Sequence, residues 1–163
     1  MMNIGLPEYG KVVQLQAPIS YTGAGTTDAV SLKYCQKAYF IVQFNCLGNA
    51  ATITMTLWGG ATVTTATNAI ALGNWWYQEG SAAAMLLTDT AIKGAVAAAN
   101  YTPTTVTEGF MIIEINPEDW VTTGYDCFAV RFSACDATQH VSAMALLIPG
   151  RYQQATPPSA IVN

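Results

Sequence analysis

Charged side chains are scarce in this sequence. Only 10% of its 163 residues are charged, whereas an average soluble domain carries roughly 25%. Hydrophobic residues make up 52%, so solvent must be met mainly by Thr, Ser, Asn, Gln and Gly. Such a neutral surface does little to keep copies of a chain apart. The composition therefore favours self-association.

Basic residues are rarer still, and they form no cluster. Six Lys and Arg stand against ten Asp and Glu, which gives a net charge of −4. Nothing in the sequence is suited to neutralise phosphates, so we expect no nucleic-acid partner and no binding to an anionic membrane surface. No uncharged apolar run reaches the roughly 18 residues of a membrane span.

The sequence also lacks the signals of export and of zinc binding. Residues 1–8 contain no basic segment followed by an apolar one, so we expect no signal peptide and no Sec export. Cysteines occur at Cys35, Cys46, Cys127 and Cys135 without a CxxC pair, and His140 is the single histidine. This set favours reduced thiols over a zinc site, with a disulfide or an intersubunit bridge as the alternative.

What the sequence does contain is short alternating β-strands. Residues 38–46 place Phe40, Val42, Phe44 and Cys46 on one face, and residues 52–58 place Ile53, Met55 and Leu57 on one face. A turn signal separates the two runs, which predicts a β-hairpin. Further strands are predicted at 110–115, at 127–134 with Phe128, Val130 and Phe132 on one face, and at 141–148.

These strands, with Gly, Pro and Asn between them and no amphipathic helix, predict an all-β fold. We expect an antiparallel β-sandwich or a jelly-roll-like barrel with extended N- and C-terminal arms. The predicted parts are an N-terminal arm over residues 1–28 with at most one edge strand, a sandwich domain over 29–152, and a tail over 153–163.

The Ala- and Thr-rich stretch 61–109 is hard to assign within that domain. Strands near Ile70, 75–77, 85–87 and 92–97 are compatible with it, and residues 95–99 are compatible with one helical turn.

Catalytic and metal-binding patterns are weak, and we expect neither an enzyme, a metal nor a cofactor. His140 lies near Cys135, but no residue is identifiable to orient a Cys/His pair. Residues 23–27, Gly-Ala-Gly-Thr-Thr, lack the Lys and helix of a phosphate-binding loop. Glu118, Asp119 and Glu114 are more simply explained as a turn after a strand than as a hydrolytic or cation-binding set.

Aromatic residues provide the main alternative to a purely structural role. Trp75 and Trp76, with Trp58 and Trp120, are compatible with an aromatic platform for sugar, as in a carbohydrate-binding module. Adjacent residues of a strand point to opposite faces, so one of Trp75 and Trp76 is expected in the core. Large aromatics are equally typical of subunit interfaces.

Five runs, in their order along the chain, carry a resemblance to a known group of proteins. They are Val-Ser-Leu-Lys-Tyr (30–34), Ala-Tyr-Phe-Ile-Val-Gln-Phe (38–44), Gly-Asn-Ala-Ala-Thr-Ile-Thr-Met-Thr-Leu (48–57), Phe-Met-Ile-Ile-Glu-Ile-Asn-Pro-Glu-Asp-Trp (110–120) and Met-Ala-Leu-Leu-Ile-Pro-Gly-Arg-Tyr (144–152). The chain resembles small β-sandwich structural proteins of tailed bacteriophages, the capsid decoration (cement) proteins, over residues 28–152. The likeness lies in strand order and style, and residues 61–109 carry none of it.

The resemblance implies a non-enzymatic virion protein on the outer capsid surface, made in the host cytoplasm. Its implied partners are the major capsid protein and copies of itself, which the resemblance implies form a homotrimer. We expect residues 1–18 and 150–163 to make contacts, chiefly through backbone groups, Leu6, Tyr9, Tyr152 and Ile161. A tail, collar or head-fibre component and a carbohydrate-binding module remain as alternatives.

Overall fold

The computed structural model describes residues 10–20, 22–46, 53–80, 91–104 and 108–149. Within these ranges the chain forms β-strands and two short 3-10 helices, Val63–Thr65 and Pro117–Thr123. The strands are β1 (Lys11–Ile19), β2 (Gly25–Thr26), β3 (Val30–Ser31), β4 (Cys35–Asn45), β5 (Met55–Gly60), β6 (Asn68–Ile70), β7 (Asn74–Gly80), β8 (Ile92–Lys93), β9 (Glu108–Ile115), β10 (Cys127–Phe132) and β11 (His140–Pro149).

The strands form two antiparallel sheets that pack as a sandwich. One sheet has six strands in the order β1-β11-β4-β9-β7-β8. The other has the order β2-β10-β5-β6, and β3 also pairs with β10. The predicted all-β sandwich is confirmed. No closed barrel forms in the described part of the chain, because β1 and β8 end the larger sheet and β2 and β6 end the path of the smaller one.

The core lies between the sheets and consists of the predicted inward side chains. Phe40, Phe128 and Phe132 are fully buried, and the alternating apolar residues of β4, β5 and β10 surround them. Burial of such side chains contributes about 1.5–3 kcal/mol each, which makes this layer the main stabilising feature.

The predicted hairpin between residues 38–46 and 52–58 is wrong. β4 lies between β11 and β9 in the larger sheet, whereas β5 lies between β10 and β6 in the smaller one. The turn signal at residues 47–50 lies outside the described residues, and the strands before and after it belong to opposite sheets. Turn residues alone do not distinguish these two outcomes, since both sheets need strands with one apolar face.

The Ala- and Thr-rich stretch forms part of both sheets. Strands are present near Ile70 and Trp75, as predicted, whereas the strand expected over 92–97 is limited to two residues. Beyond it Gly94 approaches the Trp75 indole so closely that an added Cβ would lie 1.9 Å from Cε2. The chain then turns through Ala97, which has a positive φ of 61°. The strand predicted near 85–87 lies outside the described residues.

The N-terminal arm predicted over 1–28 with at most one edge strand contains two, so that prediction is wrong: β1 is nine residues long and ends the larger sheet, and β2 ends the path of the smaller one. β1 pairs with β11, and Lys11 lies opposite Leu147. The start of β1 and the end of β11 are therefore neighbours at one end of the sandwich. Residues 1–9 and 150–163 lie outside the described residues, so the contacts predicted for Leu6, Tyr9, Tyr152 and Ile161 stay predictions.

Candidate interaction surface

The outward side of the six-stranded sheet carries a broad apolar surface. Its middle row crosses all six strands and consists, from β1 to β8, of Gln14, Met144, Ile41, Ile112, Trp76 and Lys93. The rows above and below add apolar residues beside it. We call this surface the outer stripe and define it by Val12, Tyr39, Ile41, Trp76, Phe110, Ile112, Met144 and Leu146.

The sequence produces this stripe because three central strands are apolar on both faces. In β11 the inward Ala143 and Ala145 are smaller than the outward Met144 and Leu146. Continuous apolar runs are typical of strands covered on both sides, whereas a sheet open to solvent alternates apolar and polar residues. The apolar runs in β4, β9 and β11 were therefore a usable signal for the stripe, and the alternation argument alone missed it.

Solvent reaches the stripe. Met144 is 38% exposed and Val12 is 52% exposed. Tyr39, Ile41, Ile112 and the other members are partly exposed. A contiguous apolar patch of this kind is uncommon on a monomeric protein and marks an interaction site.

The charges on this surface compensate each other. Lys37 Nζ lies 3.2 Å from Glu114 Oε1, and the hydrogen bond to that carboxylate raises the pKa of Lys37 above its ordinary value. Lys37 also lies 5.9 Å from the centre of the Tyr39 ring, and Lys93 lies 6.0 Å from that of Trp76. Both lysines thus place their cations near aromatic rings at the margin of the surface, where Glu114 and Glu108, on the outward side of β9, carry the opposite charge.

Glutamine and serine side chains complete the polar margin. Gln14 ends the middle row, and Gln43 and Gln78 lie in the next row with Ser142. The Ser142 hydroxyl donates to Gln43 Oε1 at 3.3 Å. An apolar centre with a hydrogen-bonding rim is the usual anatomy of a protein–protein contact.

The two tryptophans considered as a possible sugar platform point to opposite sides of β7. Trp75 is 5% exposed, and its indole N–H donates to the Ala95 carbonyl at 2.9 Å. Trp76 lies outward in the stripe. The expectation that one of the pair is in the core is confirmed, and the pair does not present a common flat surface.

A polar cluster, which the sequence analysis did not predict, lies around Glu79 near the end of β7. Glu79, at the end of β7, accepts hydrogen bonds from the Tyr101 hydroxyl and from both the hydroxyl and the N–H of Thr104. The Tyr101 ring packs on Trp75 and Tyr77 at centroid distances of 5.1 and 4.9 Å. Burial, followed by the bond to Glu79, raises the pKa of Tyr101 far above its usual value.

Tyr101 also joins the two sheets through its backbone. Its N–H and carbonyl exchange hydrogen bonds with Met55 of β5 at 2.9 and 2.8 Å, while its side chain reaches Glu79 of β7. These residues are far apart in sequence, so no local motif could have predicted the cluster.

The residues considered for catalysis occupy structural positions. His140 is exposed, and its ring nitrogen Nδ1 lies 3.2 Å from the Thr138 carbonyl of the preceding turn. Cys135 Sγ lies 4.0 Å from the Gln139 carbonyl. Cys135 and His140, considered and set aside as a catalytic pair, therefore both contact the turn between β10 and β11.

The carboxylates are divided between two parts of the fold. Glu114 pairs with Lys37 on the stripe margin, whereas Glu118 and Asp119 lie in the first turn of the helix Pro117–Thr123. Asp119 Oδ2 accepts from the Asn116 amide at 3.4 Å. The described residues contain no group of three or more His, Cys, Asp or Glu side chains able to hold a metal ion.

The loop at residues 23–27 and the cysteines also have structural partners. Thr27 is 5% exposed, and its hydroxyl accepts the Val130 N–H at 3.1 Å. Cys35, Cys46 and Cys127 carry free thiols. Burial, with a further contribution from the neighbouring Asp126, raises the pKa of Cys127 to about 12.

Comparison with known proteins identifies no relative of this chain. No family model matches the chain, and neither the curated proteins nor the solved structures searched contain a match. In the ranges that the structure describes, no helix has the length and apolar character needed to cross a bilayer.

Proposed function

We propose that this chain is a structural protein of a bacteriophage virion, a capsid decoration protein that binds the outside of the head and stabilises the major capsid subunits. The observation that carries the proposal is the outer stripe, a surface with little net charge of the kind by which protein subunits of an assembly contact one another, while the arms supply the contacts with the shell. The resemblance to capsid decoration proteins of tailed bacteriophages is the reason for proposing a phage head as the assembly.

The positions at which the termini leave the sandwich support attachment by arms. β1 begins beside the end of β11, so residues 1–9 and 150–163 start from neighbouring strands at one end of the fold. Two segments that extend from the same end of the fold can both contact the same capsid surface, and linked weak contacts bind far more tightly than either contact alone.

The rival functions make different demands on this surface. A tail, collar or head-fibre component would use the same kind of contact, so its location within the virion separates it from a decoration protein. A carbohydrate-binding module would need stacked aromatics open to solvent, and the burial of Trp75 removes one member of the suggested platform.

Binding to shells tests the proposal. Purified chain is mixed with shells of the major capsid protein from the phage that encodes it, and the shells are pelleted. We expect saturable co-sedimentation of the full chain and loss of binding when residues 1–9 or 150–163 are removed, because the linked contacts are then broken. The control is Val121→Lys, a 72% exposed position outside the stripe. Failure of the full chain to bind shells contradicts the proposed function.

A further inference from the structure

The charges and the dimensions of the outer stripe indicate which protein partner binds to it. We infer that the stripe is the contact surface for a second copy of this chain, in a face-to-face dimer with twofold symmetry. The inference rests on the proposed function only in taking the stripe as a protein contact surface, and it concerns a different partner from the capsid shell.

Electrostatics favours a second copy at this surface. The whole chain carries a net charge of −4, so two copies repel each other unless they meet where charge is low or compensated. The stripe meets that condition, since Lys37 and Glu114 neutralise each other and Lys93 lies at its edge. A partner with a strong charge of either sign would find no complement there.

The arrangement of the charges also selects the symmetry. The centre of the sheet lies between β4 and β9, the third and fourth of its six strands. A twofold axis through this point, in the plane between two stacked sheets and parallel to the strands, places β4 of one copy over β9 of the other. Tyr39 on β4 then lies over Glu114 on β9 of the second copy, because these two residues share a row, and Lys37 lies one outward position further along β4. The lysine side chain spans one such row within a single copy, where Lys37 Nζ reaches Glu114. It can therefore reach Glu114 of the second copy as well, and the reciprocal pair forms by symmetry.

The same operation brings the apolar residues together. Ile41 of one copy lies over Ile112 of the other, and Met144 lies over Trp76. A methionine sulfur beside an aromatic ring is a favourable contact. At the ends of the row, Lys93 lies over Gln14, whose side-chain carbonyl can accept from the ammonium group.

The area is sufficient for a reversible dimer. Five strands spaced about 4.8 Å apart, each with three outward positions about 6.8 Å apart, and the single outward residue of the two-residue β8 cover about 500 Å² per copy. Two such surfaces bury about 1,000 Å², an area at the lower end of protein–protein interfaces and typical of weak or transient contacts. We therefore expect association that depends on protein concentration.

Sedimentation equilibrium of the full chain tests the inference. The wild type is expected to pass from monomer to dimer as its concentration rises. Met144→Lys places an unpaired cation in the centre of the contact twice per dimer and should weaken association at least about 30-fold. Val121→Lys adds the same charge at an exposed position outside the stripe and should leave association unchanged.

A charge-exchange pair tests the twofold arrangement and does not depend on one variant. Lys37→Glu and Glu114→Lys should each be monomeric, because like charges then face each other across the axis. An equimolar mixture of the two should form a heterodimer, because acidic positions of one copy then lie over basic positions of the other. Native thermal unfolding transitions in both variants establish that the chains are folded.

Each result decides the inference. A wild type that stays monomeric, or an oligomer that Met144→Lys leaves intact, overturns it. A trimer that Met144→Lys dissociates, or a mixture that gives no heterodimer, overturns the twofold arrangement. A monomer that associates once residues 1–9 or 150–163 are removed shows that the termini cover the stripe, and this too overturns it. Shell binding is measured separately, so dimerisation and the proposed function can fail independently.

Discussion

Replacement of Tyr101 by Phe tests whether the polar cluster joins the two sheets. The change removes only the hydroxyl that donates to Glu79, and the ring keeps its contacts with Trp75 and Tyr77. A hydrogen bond to a charged group contributes about 1.5–3 kcal/mol. Thr104 still donates to Glu79 in the variant, so we expect the lower end, a loss of about 1.5 kcal/mol.

Urea denaturation followed by tryptophan fluorescence measures this loss. For a chain of this length about 1.5 kcal/mol corresponds to a fall in Tm of about 3–6 °C. Tyr101→Ala also removes the buried ring and should cost about 3–5 kcal/mol. Tyr34→Phe is the matched control, because Tyr34 is 55% exposed and should change nothing. A loss below about 0.5 kcal/mol for Tyr101→Phe would refute the view that this hydroxyl stabilises the fold.

Three further predictions concern pH and packing. The pKa of Tyr101 is raised, so above about pH 10 the unfolded chain loses a proton that the folded chain keeps, and stability falls; Tyr101→Phe should show a shallower fall in alkaline urea titrations. The pKa of Cys127 is raised to about 12 from 9.0, so stability should also fall as pH rises through that window, and less in Cys127→Ala; equal slopes would argue against its burial. Gly94→Ala should destabilise the fold by more than about 2 kcal/mol, since the Cβ would overlap the Trp75 indole; a wild-type Tm would contradict that close approach.

The sequence predicted much of the fold because strand alternation is local. The inward residues of β4, β5 and β10 were assigned correctly, since a period of two fixes which side chains share a face. Sheet membership was not assigned correctly, because β4 and β5 differ only in their distant partners. The strand expected over 92–97 was predicted too long, since β8 ends where Gly94 packs against Trp75.

The site was less accessible to sequence reasoning than the fold. That one of Trp75 and Trp76 lies in the core followed from alternation within β7, but which of the two did not. The stripe depends on six strands placed side by side. The outward residues of the stripe are apolar, whereas a sheet open to solvent carries polar residues at such positions. That pattern indicates an interaction surface only when the place of β4 in the centre of the sheet is known. The bond between Glu79 and Tyr101 joins segments with no shared motif.

Electron microscopy of shells with and without the purified chain tests the central claim most directly. The account predicts additional density at a fixed set of positions on the outer surface of the shell, saturating at a constant copy number. It also predicts that this density disappears when residues 1–9 and 150–163 are removed from a chain that still unfolds cooperatively. Shells that look identical with and without the full chain, or density confined to the tail, would contradict a role in capsid decoration.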